Sequence, residues 1–136
     1  MKISTRGRYA LRLMIDIAQQ NTDEPIPLKE IAKRQEISVK YLEQIVSSLS
    51  HAKLIHSLRG SHGGYRLAKE PKDYTVKEIL ETLEGPTTCV SCLEDDVNTC
   101  PYQGKCATLC FYQGLNKVII DYFESYTLQD FINQNK

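Results

Sequence analysis

The sequence predicts a mainly α-helical fold with one small β-hairpin: a winged helix-turn-helix domain followed by a long C-terminal helix. Three observations predict it. Two apolar-periodic segments are joined by only two residues, Glu36 and Ile37. A glycine-rich run, "RGSHGG", lies between two short strand-like stretches. Apolar residues then return at helical spacing from about Cys106 to Tyr126. A helix pair with a tight turn and a trailing hairpin is the parts list of that domain. A chain of 136 residues can hold one domain with an apolar core, or one domain with an appendage.

The elements follow in order. Ala10, Leu13, Met14, Ile17 and Ala18 recur at helical spacing and predict a helix over 4–20, with Ser4 or Thr5 as its cap. Residues 21–27, rich in Asn, Asp and Pro, predict a turn. A short helix over 28–35 buries Leu28, Ile31 and Ala32; a second over 38–50, capped by Ser38, buries Leu42, Ile45, Val46 and Leu49. Ala32 is the small residue that the helix crossing needs, and Ile37 plugs the turn. Many such turns hold glycine where this chain has Glu36. The outer side of the second helix is left to Lys40, Tyr41, Glu43, Gln44 and Ser47. Strands are expected over 54–58 and 65–68, with Gly63-Gly64 permitting a bend that β-carbons would block. Thr75 caps a helix over 75–83, which Gly85-Pro86 ends. The long helix carries Leu109, Phe111, Leu115, Val118, Ile119, Tyr122 and Phe123, and a short helix follows from Thr127. The expected organisation is a reading domain over 1–84, a cysteine-rich loop over 85–106 and a helical segment over 107–136.

Composition narrows the function. With 41% hydrophobic and 25% charged residues the chain has ordinary globular composition. No apolar run approaches the ~20 residues of a membrane span, and the basic, polar N-terminus does not read as a secretory signal. The expected setting is the cytoplasm, where a disulfide framework is unexpected. The formal net charge of zero hides an asymmetry: residues 1–75 hold thirteen Lys/Arg against eight Asp/Glu, and residues 76–136 hold four against nine. A basic front half suits an anionic partner. On an exposed helix, Gln can pair two-pronged with adenine, Lys can reach guanine acceptors or a phosphate, and Glu can accept from a cytosine amino group. Arg59 in the flexible hairpin turn can reach a narrow minor groove. No nucleophile–base pair or phosphate loop is present, which argues against an enzyme. His51, His56 and His62 carry no ligand pattern.

All five cysteines, Cys89, Cys92, Cys100, Cys106 and Cys110, fall within twenty-two residues. Thiolates suit iron, and a loop with uneven gaps can wrap a cluster. They also suit zinc, through the pairs Cys89-x2-Cys92 and Cys106-x3-Cys110. Zinc would leave out Cys100.

The stretches "TRGRYALRLMIDIA", "IAKRQEISVKYLEQIVSSL", "LRGSHGGYRLA" and "TVKEILETLEGP" resemble the winged-helix regulators that include IscR, NsrR and CymR, through essentially the whole chain. The "YLEQ" context with Glu43 resembles the iron–sulfur regulator IscR most. The resemblance implies a homodimer joined by the long C-terminal helix, reading double-stranded operator DNA and regulating transcription. It implies base contacts from Lys40, Glu43 and Gln44, a minor-groove contact from Arg59, and phosphate nearby for Tyr41, Thr5 and Arg8. It further implies an iron–sulfur cluster of the 2Fe-2S type on Cys92, Cys100 and Cys106, governing cluster-biogenesis or related stress genes, with cluster-assembly proteins as possible partners. The family's histidine three residues past the last cysteine is replaced by Leu109. The fourth ligand is then Glu43 or Cys110, with Cys89 behind them. The alternative is a zinc-stabilised or cluster-free repressor answering to a partner protein or to thiol oxidation.

Overall fold

The computed structural model describes residues 2–134. Ser4 is the cap of the first helix: its hydroxyl accepts the Gly7 N–H at 3.0 Å, and α1 runs Thr5–Gln19. One face of α1 is buried through Ala10, Leu13, Met14 and Ile17. Leu28–Gln35 forms α2 and Val39–His51 forms α3. The turn between them depends on Glu36, whose backbone is left-handed (φ 56). Glycine is favoured at that conformation because it lacks the clashing Cβ, which explains why glycine is common at the place. The turn lets the Ile37 N–H reach the Ala32 carbonyl at 3.1 Å while its side chain enters the core. Ser38 caps α3 through the Tyr41 N–H at 3.1 Å.

The hairpin pairs β1, Ile55–Leu58, with β2, Gly64–Leu67, antiparallel, Ile55 opposite Leu67 and Leu58 opposite Gly64. Both strands begin one residue off the expected bounds. The Ile26 N–H and carbonyl bond to Tyr65 at 2.8 and 2.9 Å, so the turn before α2 extends the hairpin by one bridge. A Cβ on Gly64 would run into the Ile26 backbone. Glycine is required there by close approach.

Thr75 caps α4, Val76–Glu84, through the Glu78 N–H at 3.1 Å. The cysteine segment contains only two short 3-10 turns, Ser91–Leu93 and Gln103–Lys105. The long helix α5 runs Leu109–Ser125. It begins three residues later than expected, and Cys106 precedes it in extended backbone (φ −75, ψ 109). Cys106 and Cys110 therefore do not share a helical face.

The last helix, α6, spans Leu128–Gln134 and packs on α1. Thr127 bridges Thr75, and the Val76 N–H bonds the Tyr126 carbonyl at 2.9 Å. Leu128 is wholly buried in the same core as Leu13, Met14, Ile31 and Ile45. The sequence reading grouped this helix with the segment of α5; its apolar face completes the core of the helix-turn-helix.

Two polar anchors lie inside this core. Asp16 is buried, and Arg34 donates to it from Nη2 at 2.7 Å and from Nε at 3.0 Å, with Gln35 Nε2 adding a third donor at 2.9 Å. Hydrogen bonding to Asp16 raises the pKa of Arg34. The pair fixes α1 to the end of α2, just before the turn. Tyr74 is also fully buried. Its hydroxyl donates to the Leu54 carbonyl at 2.5 Å and accepts the Ala68 and Lys69 N–H groups at 2.8 and 3.2 Å. One phenol thus gathers both ends of the hairpin, and its burial raises its pKa.

Candidate nucleic-acid interface and cysteine loop

The outer side of α3 carries Lys40, Glu43, Gln44 and Ser47, all exposed, with Tyr41 half-buried. Leu42, Ile45, Val46 and Leu49 hold the opposite side in the core. Tyr41 is turned back against Tyr9 of α1, edge to face, ring centroids 5.5 Å apart. Arg12 lies 5.2 Å from the centre of the Tyr9 ring and donates from Nε to Gln35 Oε1 at 3.1 Å. A second Arg12 nitrogen donates to the Gln35 carbonyl. Since Gln35 also grips Asp16, the end of α2 is clamped on two sides. This clamp holds the end of α2 against α1.

The start of α1 adds a basic edge. Thr5, Arg6 and Arg8 are exposed. Arg8 donates to the Thr5 hydroxyl at 3.2 Å, and Arg6 reaches Ser48 of α3 at 3.3 Å. At the hairpin tip Arg59 is exposed beside Gly60, whose φ is +111. The DNA-facing residues expected from the sequence thus occur on three exposed features: the outer face of α3, the first turn of α1 and the hairpin tip.

The cysteine segment is tied down at its beginning. Burial pushes the Glu81 carboxyl up, but hydrogen bonds from Thr87 and Lys77 outweigh it and leave its pKa below the ordinary carboxylate range. The Thr87 N–H and hydroxyl reach Glu81 at 3.1 and 2.5 Å. Cys89 is held against α5: its N–H donates to Asn116 Oδ1 at 2.9 Å and its thiol to the Tyr112 carbonyl at 3.6 Å. Cys92, Cys100 and Cys106 are half-buried, Cys110 is exposed, and none of the five is in a disulfide. A hydrogen bond with the Thr108 side chain lowers the pKa of Cys106, which favours the thiolate that a metal takes. Among the described residues no three His, Cys, Asp or Glu side chains converge to hold an ion, so neither Glu43 nor Cys110 is brought to the cysteines as part of such a group. The donor chemistry suits iron or zinc.

Three features were missed by the sequence reading: the Asp16–Arg34 pair, the Tyr74 tie and a bond from the backbone of Ser4 to Glu84. Each joins elements that are separate in sequence through side-chain bonds that have no periodic pattern. Only a charged residue falling on the apolar stripe of α1, as Asp16 does, left any signal.

A helix-turn-helix with its hairpin, an exposed reading helix and a basic edge define a DNA-binding transcriptional regulator of the winged-helix class. The family described as "Rrf2: Iron-dependent Transcriptional regulator" matches residues 3–134, and the chain belongs to it. The HTH-type transcriptional regulator CymR of Bacillus subtilis is 48% identical over 96 residues, 71% of this chain and 70% of its own length. The solved structure of CymR, described as the global cysteine regulator of B. subtilis, superposes with a TM-score of 0.80 at 34% identity, covering 98% of each chain. The structure of T. potens IscR gives 0.79 at 36% identity, covering all of this chain and 89% of its own. These relatives are transcriptional regulators, and this chain is a regulator rather than an enzyme.

Proposed function

We propose that the protein is a homodimeric transcription factor whose cysteine loop takes up an iron–sulfur cluster and whose operator affinity follows the state of that loop. The observation that carries the reading is the placement of the thiols. All five are free, and they run from the segment after α4 into the first turn of α5. Cys92, Cys100 and Cys106 are the ligands, with Glu43 or Cys110 as the fourth. When bound, the cluster supplies a redox- and iron-sensitive crosslink of the loop. The family's description as iron-dependent and the full-length similarity to an IscR support this.

The same reading gives α5 its role. Phe111, Val118 and Tyr122 are about two-thirds exposed, and Leu115 is 38% exposed. Four large apolar side chains on one helix face in water need a cover, and a second α5 supplies it. Lys40, Glu43 and Gln44 read bases, Arg59 enters the minor groove, and Tyr41, Thr5 and Arg8 lie beside phosphates. The protein acts in the cytoplasm on genes of cluster biogenesis or related stress, with cluster-assembly proteins as its supply. Among the described residues no helix is long and apolar enough to cross a membrane.

The resemblance to CymR supports a second reading, a cluster-free repressor that answers to a partner protein or to thiol oxidation. Zinc on Cys89, Cys92, Cys106 and Cys110 is a third, weakened because Cys89 already packs its thiol on α5.

The test is anaerobic purification from iron-replete cells, with iron and acid-labile sulfide counts and an absorption spectrum. A coloured protein whose chromophore is lost in Cys100→Ala and kept in Cys89→Ala is expected. A colourless protein that binds DNA favours the cluster-free reading. A colourless, zinc-loaded protein indifferent to Cys100→Ala favours zinc.

A further inference from the structure

Three features meet at the junction between α4 and the cysteine loop. Glu84 is the last residue of α4, and its carboxylate accepts the N–H of Ser4. Ser4 is in turn the cap of α1, so Glu84 grips the chain where α1 begins. The contact needs Gly7: a Cβ there would collide with the Glu84 carboxylate. The next residue, Gly85, has φ 84 and ψ −163, a region essentially restricted to glycine. Two residues further on, Thr87 clasps Glu81. The end of α4 is therefore bonded on two sides of a glycine joint: before Gly85 to the start of α1 through Glu84, and past Gly85 to the loop through Glu81 and Thr87. A groove of about 540 Å³ opens there, lined among others by Ser4, Arg6, Glu84, Thr87 and Cys89.

The other end of the linkage is the reading surface. Arg6, two residues past Ser4, donates to Ser48 of α3, and Arg8 bonds Thr5. α1 carries no acidic residue in its first turn. The Glu84 carboxylate is thus supplied from another element to a helix N-terminus that favours negative charge.

We infer that Glu84, on the same helix end whose Glu81 clasps Thr87 across Gly85, is the positioning residue that carries the conformation of the cysteine loop to the start of α1 and from there, through Arg6 and Ser48, to the recognition helix. The inference rests on the proposed cluster reading, because the loop must have two states for a relay to act. Glu84 bonds the Ser4 N–H and is none of the residues proposed to meet DNA or the cluster. Its removal changes the coupling between the two sites and leaves each site itself intact.

The experiment compares operator affinity of cluster-loaded and cluster-stripped dimer by fluorescence anisotropy, for wild type, Glu84→Ala, Glu84→Gln and Gly7→Ala. Gly7→Ala displaces the carboxylate without changing charge. Iron and sulfide content, the absorption spectrum and thermal stability are measured on each. In wild type the two forms differ in affinity at least tenfold. In Glu84→Ala and Gly7→Ala the ratio falls to within about twofold of unity, with cluster content and spectrum unchanged, and Glu84→Gln retains part of it because its amide oxygen can still accept. A wild-type ratio preserved in both Glu84→Ala and Gly7→Ala overturns the relay while leaving the cluster reading standing. A wild-type ratio of one removes both. A ratio lost together with the cluster makes Glu84 a structural residue and overturns the relay.

Discussion

Tyr74 shows how much one side chain can hold. Its hydroxyl serves the Leu54 carbonyl and two backbone N–H groups, with no exposure to water. Tyr74→Phe leaves those three groups without their partner. Leu54 is buried, whereas Ala68 and Lys69 are partly or fully exposed and can turn to water, so the expected loss in urea denaturation at neutral pH is that of one unsatisfied buried group, about 1–3 kcal/mol. The raised pKa of the phenol, caused chiefly by burial, adds a pH dependence of known sign. The unfolded phenol titrates near its ordinary value of about 10. Its contribution is whole below that value and is lost as pH rises through the higher folded value. Wild type should therefore lose stability above about pH 10 more steeply than Tyr74→Phe, as thermal melts across that range would record. Asp16 illustrates the same point for a charge: buried beside Arg34, it is tolerated because three donors meet its carboxylate.

At the scale of elements, most of the secondary structure was legible because its signals are local. Periodicity, Ser38 and Thr75 as caps, and Gly85-Pro86 as a stop act over a few residues, and each fixes the end of a helix in the fold. The start of α5 was not legible. Thr108 makes no side-chain cap bond, so nothing in the sequence separates Cys106 in extended backbone from Leu109 in helix. The cysteine loop was legible as a place but not as a geometry, because its short turns have no period and its fixed points, Thr87 on Glu81 and Cys89 on Asn116, are long-range contacts. Gly64 was foreseen as a bend; its real constraint is the Ile26 backbone lying against it. Gly64→Ala should break the Ile26–Tyr65 bridge, with a cost of about 1–3 kcal/mol for forcing a methyl into a packed site. Weaker operator binding at unchanged α3 helicity is the expected readout, by anisotropy and circular dichroism. Unchanged binding would mean that the hairpin does not depend on that bridge.

For the whole molecule, the exposed face of α5 makes the assembly state testable. Val118→Glu with Tyr122→Glu puts two charges where the proposed helix pairing buries apolar surface. Sedimentation velocity should shift from dimer to monomer at micromolar concentration, while the fold of the helix-turn-helix, separate from that face, survives in circular dichroism. A dimer that persists would move the interface elsewhere. The placement of α6 has a further consequence. The chain leaves the reading head at Glu84 and returns at Thr127, beside Thr75, so everything between is an excursion with both feet on the same floor. During synthesis the head lacks Leu128 until the thiol-bearing stretch and α5 have both been made. The ribosome thus completes the cysteine segment and the long helix before the part that grips DNA can close its interior.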